Sequence, residues 1–123
     1  MTSLEIMEDG VLSYGLERAG FRQYGKEQTN TAVRMDRFVA FYGVSHRTCA
    51  AIFEALKKSR ADKGEPSSLL HFLLTMFWFK AYVTERILAG LFQMSENTVR
   101  KWIWEYATSL QLLKQSKVRM IKL

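Results

Sequence analysis

From Asp36 onward apolar residues recur at intervals of three and four, the spacing of one helix face, and no stretch holds the period of two that a half-buried strand requires. DRFVAFYG reads as a short apolar helix closed by Gly43. Ser45 caps a second, HRTCAAIFEALKKSR, whose Cys49, Ile52, Phe53 and Leu56 share one side. Its last turn is basic, as the helix dipole favours. ADKGEP, with Gly64 and the only proline, Pro66, then breaks the chain. Ser67 or Ser68 opens LLHFLLTMFWFKAYV, which is apolar nearly all round and belongs at the centre of the fold. Thr84 opens ERILAGLF and Ser95 opens ENTVRKWIWEYATSLQLLK, with about three residues between them, the tight connection of a helix-turn-helix. The pattern predicts an all-α fold, a small helical bundle that contains a helix-turn-helix.

Four of the seven glycines stand at positions 10, 15, 20 and 25, inside DGVLSYGLERAGFRQYGKEQTN. Each costs about 1 kcal/mol in a helix interior. Residues 1–33 are therefore expected to form a mobile or loosely packed arm, followed by a helical domain over 34–123. That domain divides into a first helical hairpin (34–60), a linker (61–66), the apolar helix plus helix-turn-helix (67–114) and a basic tail (115–123). Placing Ser45 on Ser95, an offset of 50, lays FVAFYGVSHRTCAAIF over LAGLFQMSENTVRKWI. Phe38 then matches Leu88, Phe41 matches Leu91, Val44 matches Met94, Cys49 matches Val99 and Ile52 matches Trp102. The match admits two readings, tandem hairpins or chance agreement between amphipathic helices.

Charge changes the picture more than composition does. The 123 residues make one small domain, 48% hydrophobic, with a net charge of +6. Residues 1–33 carry −2, and 34–64 and 65–123 carry +4 each, so the basic excess lies in the expected folded part. Such a surface suits a polyanion, nucleic acid before an anionic membrane. The longest apolar run, Leu69 to Phe79, is 11 residues, well short of the roughly 20 of a membrane span. Acids at Glu5, Glu8 and Asp9 argue against a secretory signal. One cysteine, Cys49, and two histidines, His46 and His71, cannot build a disulfide framework or a zinc site within one chain, so an intracellular protein without metal or cofactor is expected. Cys49 reads as a small buried hydrophobe and His71 as a core histidine bonded to a neighbour. Arg47, Lys57, Lys58, Arg60 and Lys63 read as a solvated helix end, with secondary phosphate contact as the lesser reading. No acid pair or nucleophile and base stand together, so no catalytic residue is expected.

Candidate chemistry concentrates after Ser95. At 100° per residue, Trp102, Ile103, Tyr106, Leu110 and Leu113 fall within about 60° of Val99 and form a buried stripe. Asn97, Lys101, Trp104 and Thr108 lie opposite, with Arg100 at the edge. One face would fix the helix to the domain, with Ala89, Met94, Val99 and Trp102 holding the pair of helices. The other would offer groups to a groove. Arg100 and Lys101 can donate to guanine or phosphate and Asn97 can pair with adenine. Ser95, Thr98 and the first backbone N–H groups suit a phosphate. Trp104 has two readings, stacking on a sugar or base, or packing under the amino-terminal hairpin. The expected partner is double-stranded DNA, with no membrane and no small-molecule substrate. The competing expectation is a protein-interaction or homo-oligomerisation module built on Trp104 and the aromatic helix from Phe72 to Tyr82.

LLHFLLTMFWFKAYVTERILAGLFQMSENTVRKWIWEY resembles the helix-turn-helix domain on the amino-terminal side of DDE-superfamily endonucleases, the Harbinger-like and insertion-sequence-like transposases. MDRFVAFYGVSHRTCAAIFEAL resembles the segment that precedes it in eukaryotic members, so the resemblance spans Met35 to Leu113. It implies a module that binds DNA such as transposon ends and delivers a catalytic domain or separate catalytic subunit, in the nucleus of a eukaryote. The sequence departs from the pattern at Val83, where a proline is expected, and at Gln93, where the turn glycine is expected. No nuclease residue carries over, because the RNase-H-like domain is not among these residues. The expectation is a truncated or domesticated transposase DNA-binding region, or an incomplete gene product.

Overall fold

The computed structural model describes residues 3–18 and 31–122, with side chains over 6–18 and 31–114. Among the described residues there are six helices and no strand: α1 (Ser3–Arg18), α2 (Thr31–Tyr42), α3 (His46–Ala61), α4 (Leu69–Ala81), α5 (Glu85–Phe92) and α6 (Glu96–Lys122). The all-α bundle expected from the periodicity is what forms. Hydroxyls start the helices where the pattern placed them, because each accepts one of the N–H groups that a first turn leaves without a partner. Ser45 accepts from Thr48, Ser68 from His71, Thr84 from Ile87 and Ser95 from Thr98. Of Ser67 and Ser68, the cap is Ser68.

α4 lies against α2, α5 and α6, and its Phe72, Leu73, Leu74 and Phe77 are buried. Thr75, also buried there, satisfies its hydroxyl by donating to the His71 carbonyl oxygen at 2.9 Å. Beside α4, Phe38 and Tyr42 of α2, Cys49 and Leu56 of α3, Leu88 of α5 and Val99 and Tyr106 of α6 complete one core.

The expected amino-terminal arm is corrected over residues 3–18. They form α1, which packs on α2 and α3 and buries Val11, Leu12 and Leu16. Glycine content suggested a broken chain, but Gly15 is a packing device. A Cβ there would meet the Phe38 ring at 2.5 Å, and the Tyr42 hydroxyl donates to the Gly15 carbonyl oxygen at 2.7 Å. Close helix approach offsets the propensity cost. Gly10 has open space around it, and nothing in the packing explains it. α2 also begins earlier than expected, at Thr31, and Arg34 on it donates to Ser13 of α1 at 2.9 Å. Gly20, Gly25 and the rest of 19–30 lie outside the described residues.

Arg60 is a second correction. Read as part of a solvated basic end, it is 2% exposed. Its Nε and Nη2 donate to the Pro66 carbonyl oxygen at 3.0 and 2.8 Å, its Nη1 to Ser109 at 3.0 Å and its Nη2 to Glu105 at 3.0 Å. Glu65 lies 3.4 Å away, and the guanidinium sits over the Tyr106 ring, 4.4 Å from its centroid. Tyr106 in turn accepts from the Ser68 N–H at 2.7 Å, so the start of α4 is referred to α6. Residues 61–66 are therefore held, their turn closed by Gly64 at φ +71° and by a Glu65 N–H bond to the Arg60 carbonyl oxygen.

The offset of 50 residues reappears in the backbone. α2 ends at Tyr42 and α5 at Phe92; α3 begins at His46 and α6 at Glu96. Gly43 and Gln93 both take positive φ, 87° and 55°, and Ser45–Thr48 and Ser95–Thr98 make the same cap with the same hydroxyl pair. Phe38 and Leu88, Tyr42 and Phe92, Cys49 and Val99, Phe53 and Ile103, and Leu56 and Tyr106 are buried in register. Two hairpins are thus built to one local plan.

Gln93 occupies the left-handed region without the glycine that does so freely, at a cost of about 1 kcal/mol. Gln93→Gly is expected to raise the thermal midpoint. Arg60→Ala is expected to destabilise the fold by about 3 kcal/mol, because several bonds lose their shared donor at once. A thermal melt of Gln93→Gly and a denaturant melt of Arg60→Ala check the two; an unchanged Arg60→Ala midpoint would remove Arg60 from its central place.

Candidate nucleic-acid interface

α6 is fixed by its stripe and leaves the other side open. Val99, Ile103 and Tyr106 are buried, Trp102, Leu110 and Leu113 are half-buried, and Met94 and Ala89 pack partly against the core. Asn97, Arg100, Lys101 and Trp104 are exposed, as the helix geometry required. Ser95 is exposed and Thr98 half-buried; their hydroxyls lie 2.8 Å apart and are engaged in the cap. The Ser95 hydroxyl is therefore already occupied at the start of α6.

Arg100 is not a loose cation. Its Nε and Nη2 donate to Oε2 of Glu85, in the first turn of α5, at 3.0 and 2.7 Å. The hydrogen bond from Arg100 holds the Glu85 carboxyl below its usual range, and the same bond raises the guanidinium. Glu85 was missed as a site residue, since its partner lies 15 positions along the chain and on another helix. The signal that could have found it is the internal repeat, in which Met35 and Ala50 stand at the equivalent positions. Lys101 places its ammonium over the Trp102 ring, 4.8 Å from the centroid.

Trp104 does not pack under the amino-terminal hairpin. It is 77% exposed and borders two open grooves. One, about 640 Å³, runs past Trp78, Phe79, Ile103 and Leu110. The other, about 410 Å³, is lined by Lys63, Glu65, Lys101, Glu105 and Thr108. In the second groove Glu65 and Glu105 both face Arg60, while neither Lys63 nor Lys101 has a carboxylate within ion-pair distance among the described residues. Arg86 similarly holds Glu96, the acid of the first turn of α6, at 3.2 Å. Four acids on this side thus face three arginines, Glu65 and Glu105 sharing Arg60, and Lys63 and Lys101 make the balance positive.

His71 lies under this helix. It is not bonded through its ring as expected: it stacks on Trp102 with centroids 3.8 Å apart, and its Nδ1 has no partner. Burial lowers its pKa from 6.5, with Arg60 and Lys101 acting in the same direction and Glu105 opposing. His46, buried edge-on to Phe38, is likewise lowered, by burial first and then by Arg47. Cys49 is the buried hydrophobe expected, its thiol pushed up to about 12 by burial. Among the described residues no helix is long and apolar enough to cross a membrane, and no cluster of three His, Cys, Asp or Glu residues could hold a metal.

The chain matches no protein-family model, no curated protein and no solved structure.

The histidines make stability depend on pH. Below the ordinary 6.5 the unfolded chain binds protons that the folded chain refuses, so stability is lost as pH falls through that window. The thermal midpoint is expected to drop between about pH 7.5 and 5. His71→Asn should flatten that slope whatever it does to the midpoint itself; an equal slope would show that His71 is not a source of it.

Proposed function

We propose that this chain binds double-stranded DNA, with α5 and α6 acting as a helix-turn-helix and the outer face of α6 entering the major groove. The observation that carries the reading is the contrast between two hairpins of one plan. Their turns, their caps and the apolar positions in register agree, and the side of the helix next to that stripe does not. Ala50, Ala51 and Glu54 of α3 become Arg100, Lys101 and Trp104 of α6. α3 has α1 packed on it and buries Ala50, whereas the same side of α6 is open; exposure to solvent accounts for polar groups there but not for a tryptophan 77% exposed beside the two cations. A groove-binding helix needs cations and an amide near its first turns, where Asn97, Arg100 and Lys101 stand. Lys63 extends the positive edge toward the phosphate backbone, and Trp104 offers a face to a sugar.

In this reading the protein is a transposase-type DNA-binding module, intracellular and nuclear in a eukaryote, that works with a catalytic domain or subunit of the DDE class. Its own residues are assigned binding and no chemistry.

The test is duplex binding as a function of salt. Affinity should fall steeply as salt rises, and Lys101→Ala should lower the magnitude of the logarithmic slope by about one. Failure to shift any duplex at about 50 mM salt, a concentration at which nonspecific phosphate contacts are strong, would end the proposal. The exposure of Trp104 between two grooves favours a second reading, a self-association surface. Sedimentation separates them: a dimer indifferent to salt, lost in Trp104→Ala and without DNA affinity, supports the second.

A further inference from the structure

Resting on the DNA-binding reading, we infer that Glu85 is a positioning residue that sets the guanidinium of Arg100 to read a guanine. The carboxylate takes the side edge of the guanidinium, through Nε and Nη2, at 3.0 and 2.7 Å. A guanidinium has five N–H donors in a planar fork, so the end edge keeps one N–H on Nη1 and one on Nη2 without a protein partner among the described residues, on a side chain that is 62% accessible. That pair matches O6 and N7 of guanine, the bidentate contact that distinguishes this base in the major groove. Arg100 alone would sample many rotamers. Arg100 held by Glu85 presents one edge in one plane, and a shared plane is what bidentate recognition requires.

Two observations separate this role from surface stabilisation. The first is the internal repeat. The amino-terminal hairpin reaches the same turn, the same cap and the same buried register with Met35 and Ala50 in place of Glu85 and Arg100, and Ala50 is buried. The ion pair is therefore not demanded by the hairpin. The second is exposure: the Arg100 side chain is 62% accessible and Glu85 34%, a setting in which ion pairs contribute little to stability. What the pair does fix is the direction of a cation at the edge of the outer face. The hydrogen bond from Arg100 lowers the Glu85 carboxyl from its usual range, so the carboxylate is ionised at neutral pH.

The experiment is selection of bound sequences from random duplex DNA by the full chain and by Glu85→Gln, Arg100→Lys and Lys101→Ala, with salt slopes measured on the selected site. The unaltered chain is expected to select a site with one strongly preferred guanine. In Glu85→Gln and in Arg100→Lys, which keeps the charge but loses the fork, discrimination at that position should fall by tenfold or more, as expected for one bidentate pair. Their salt slopes should stay within about half a unit of the original, because the cation remains. Lys101→Ala should do the reverse, keeping the guanine and reducing the slope. If Glu85→Gln retains the guanine preference, or tightens binding to all sequences alike, the carboxylate restrains Arg100 instead of aiming it and the inference is wrong. If the unaltered chain selects nothing above background, the DNA-binding reading itself falls. Helicity measured by circular dichroism on each variant ensures that a lost preference is not a lost fold.

Discussion

The fold depends on one buried guanidinium. Taking Arg60 out of water costs several kcal/mol, and the structure offsets that by giving it the Pro66 carbonyl, the Ser109 hydroxyl, the Glu105 carboxylate and the Tyr106 face. These partners come from the turn after α3 and from α6, with Tyr106 also holding the first residue of the α4 cap. The junction therefore sets how the amino-terminal helices meet α4 and α6. It also engages Glu65 and Glu105, which line the same groove as Lys101 and Trp104. A structural cation thereby leaves the neighbouring lysines without carboxylate partners, and the interior and the candidate interface are electrostatically connected.

The two hairpins show how one local plan can serve different ends. Each needs a residue with positive φ after its first helix, a serine cap three residues before the N–H it serves, and an apolar stripe toward the core. The first meets the turn with Gly43 and turns Ala50 inward against the core, and the second meets it with Gln93 and presents Arg100 to solvent. α1 packs on α3. α4 packs on α6 but leaves its opposite side open between two grooves. What distinguishes the helices is thus the outward side chains together with what covers them.

Much of this was written in local patterns. The caps at Ser45, Thr84 and Ser95, the break at ADKGEP, the central burial of α4 and the inward and outward faces of α6 all follow from spacing and hydroxyl placement, because each involves residues within a turn or two of one another. The outward placement of Asn97, Arg100 and Lys101 was legible for the same reason. Residues 3–18 were misread because helix propensity counts what a glycine costs and is blind to a ring packed against it, as Phe38 is against Gly15.

The sequence by itself determined the helical class, the helix starts and the two-sided character of α6, since periodicity and capping act over a few residues. Only the tertiary structure decided that Arg60 is buried while its basic neighbours are exposed, that Trp104 stands free between grooves, and that Glu85 holds Arg100. Each of these joins positions far apart in sequence, and the energy of a charge is set by what surrounds it in space, which no local pattern records.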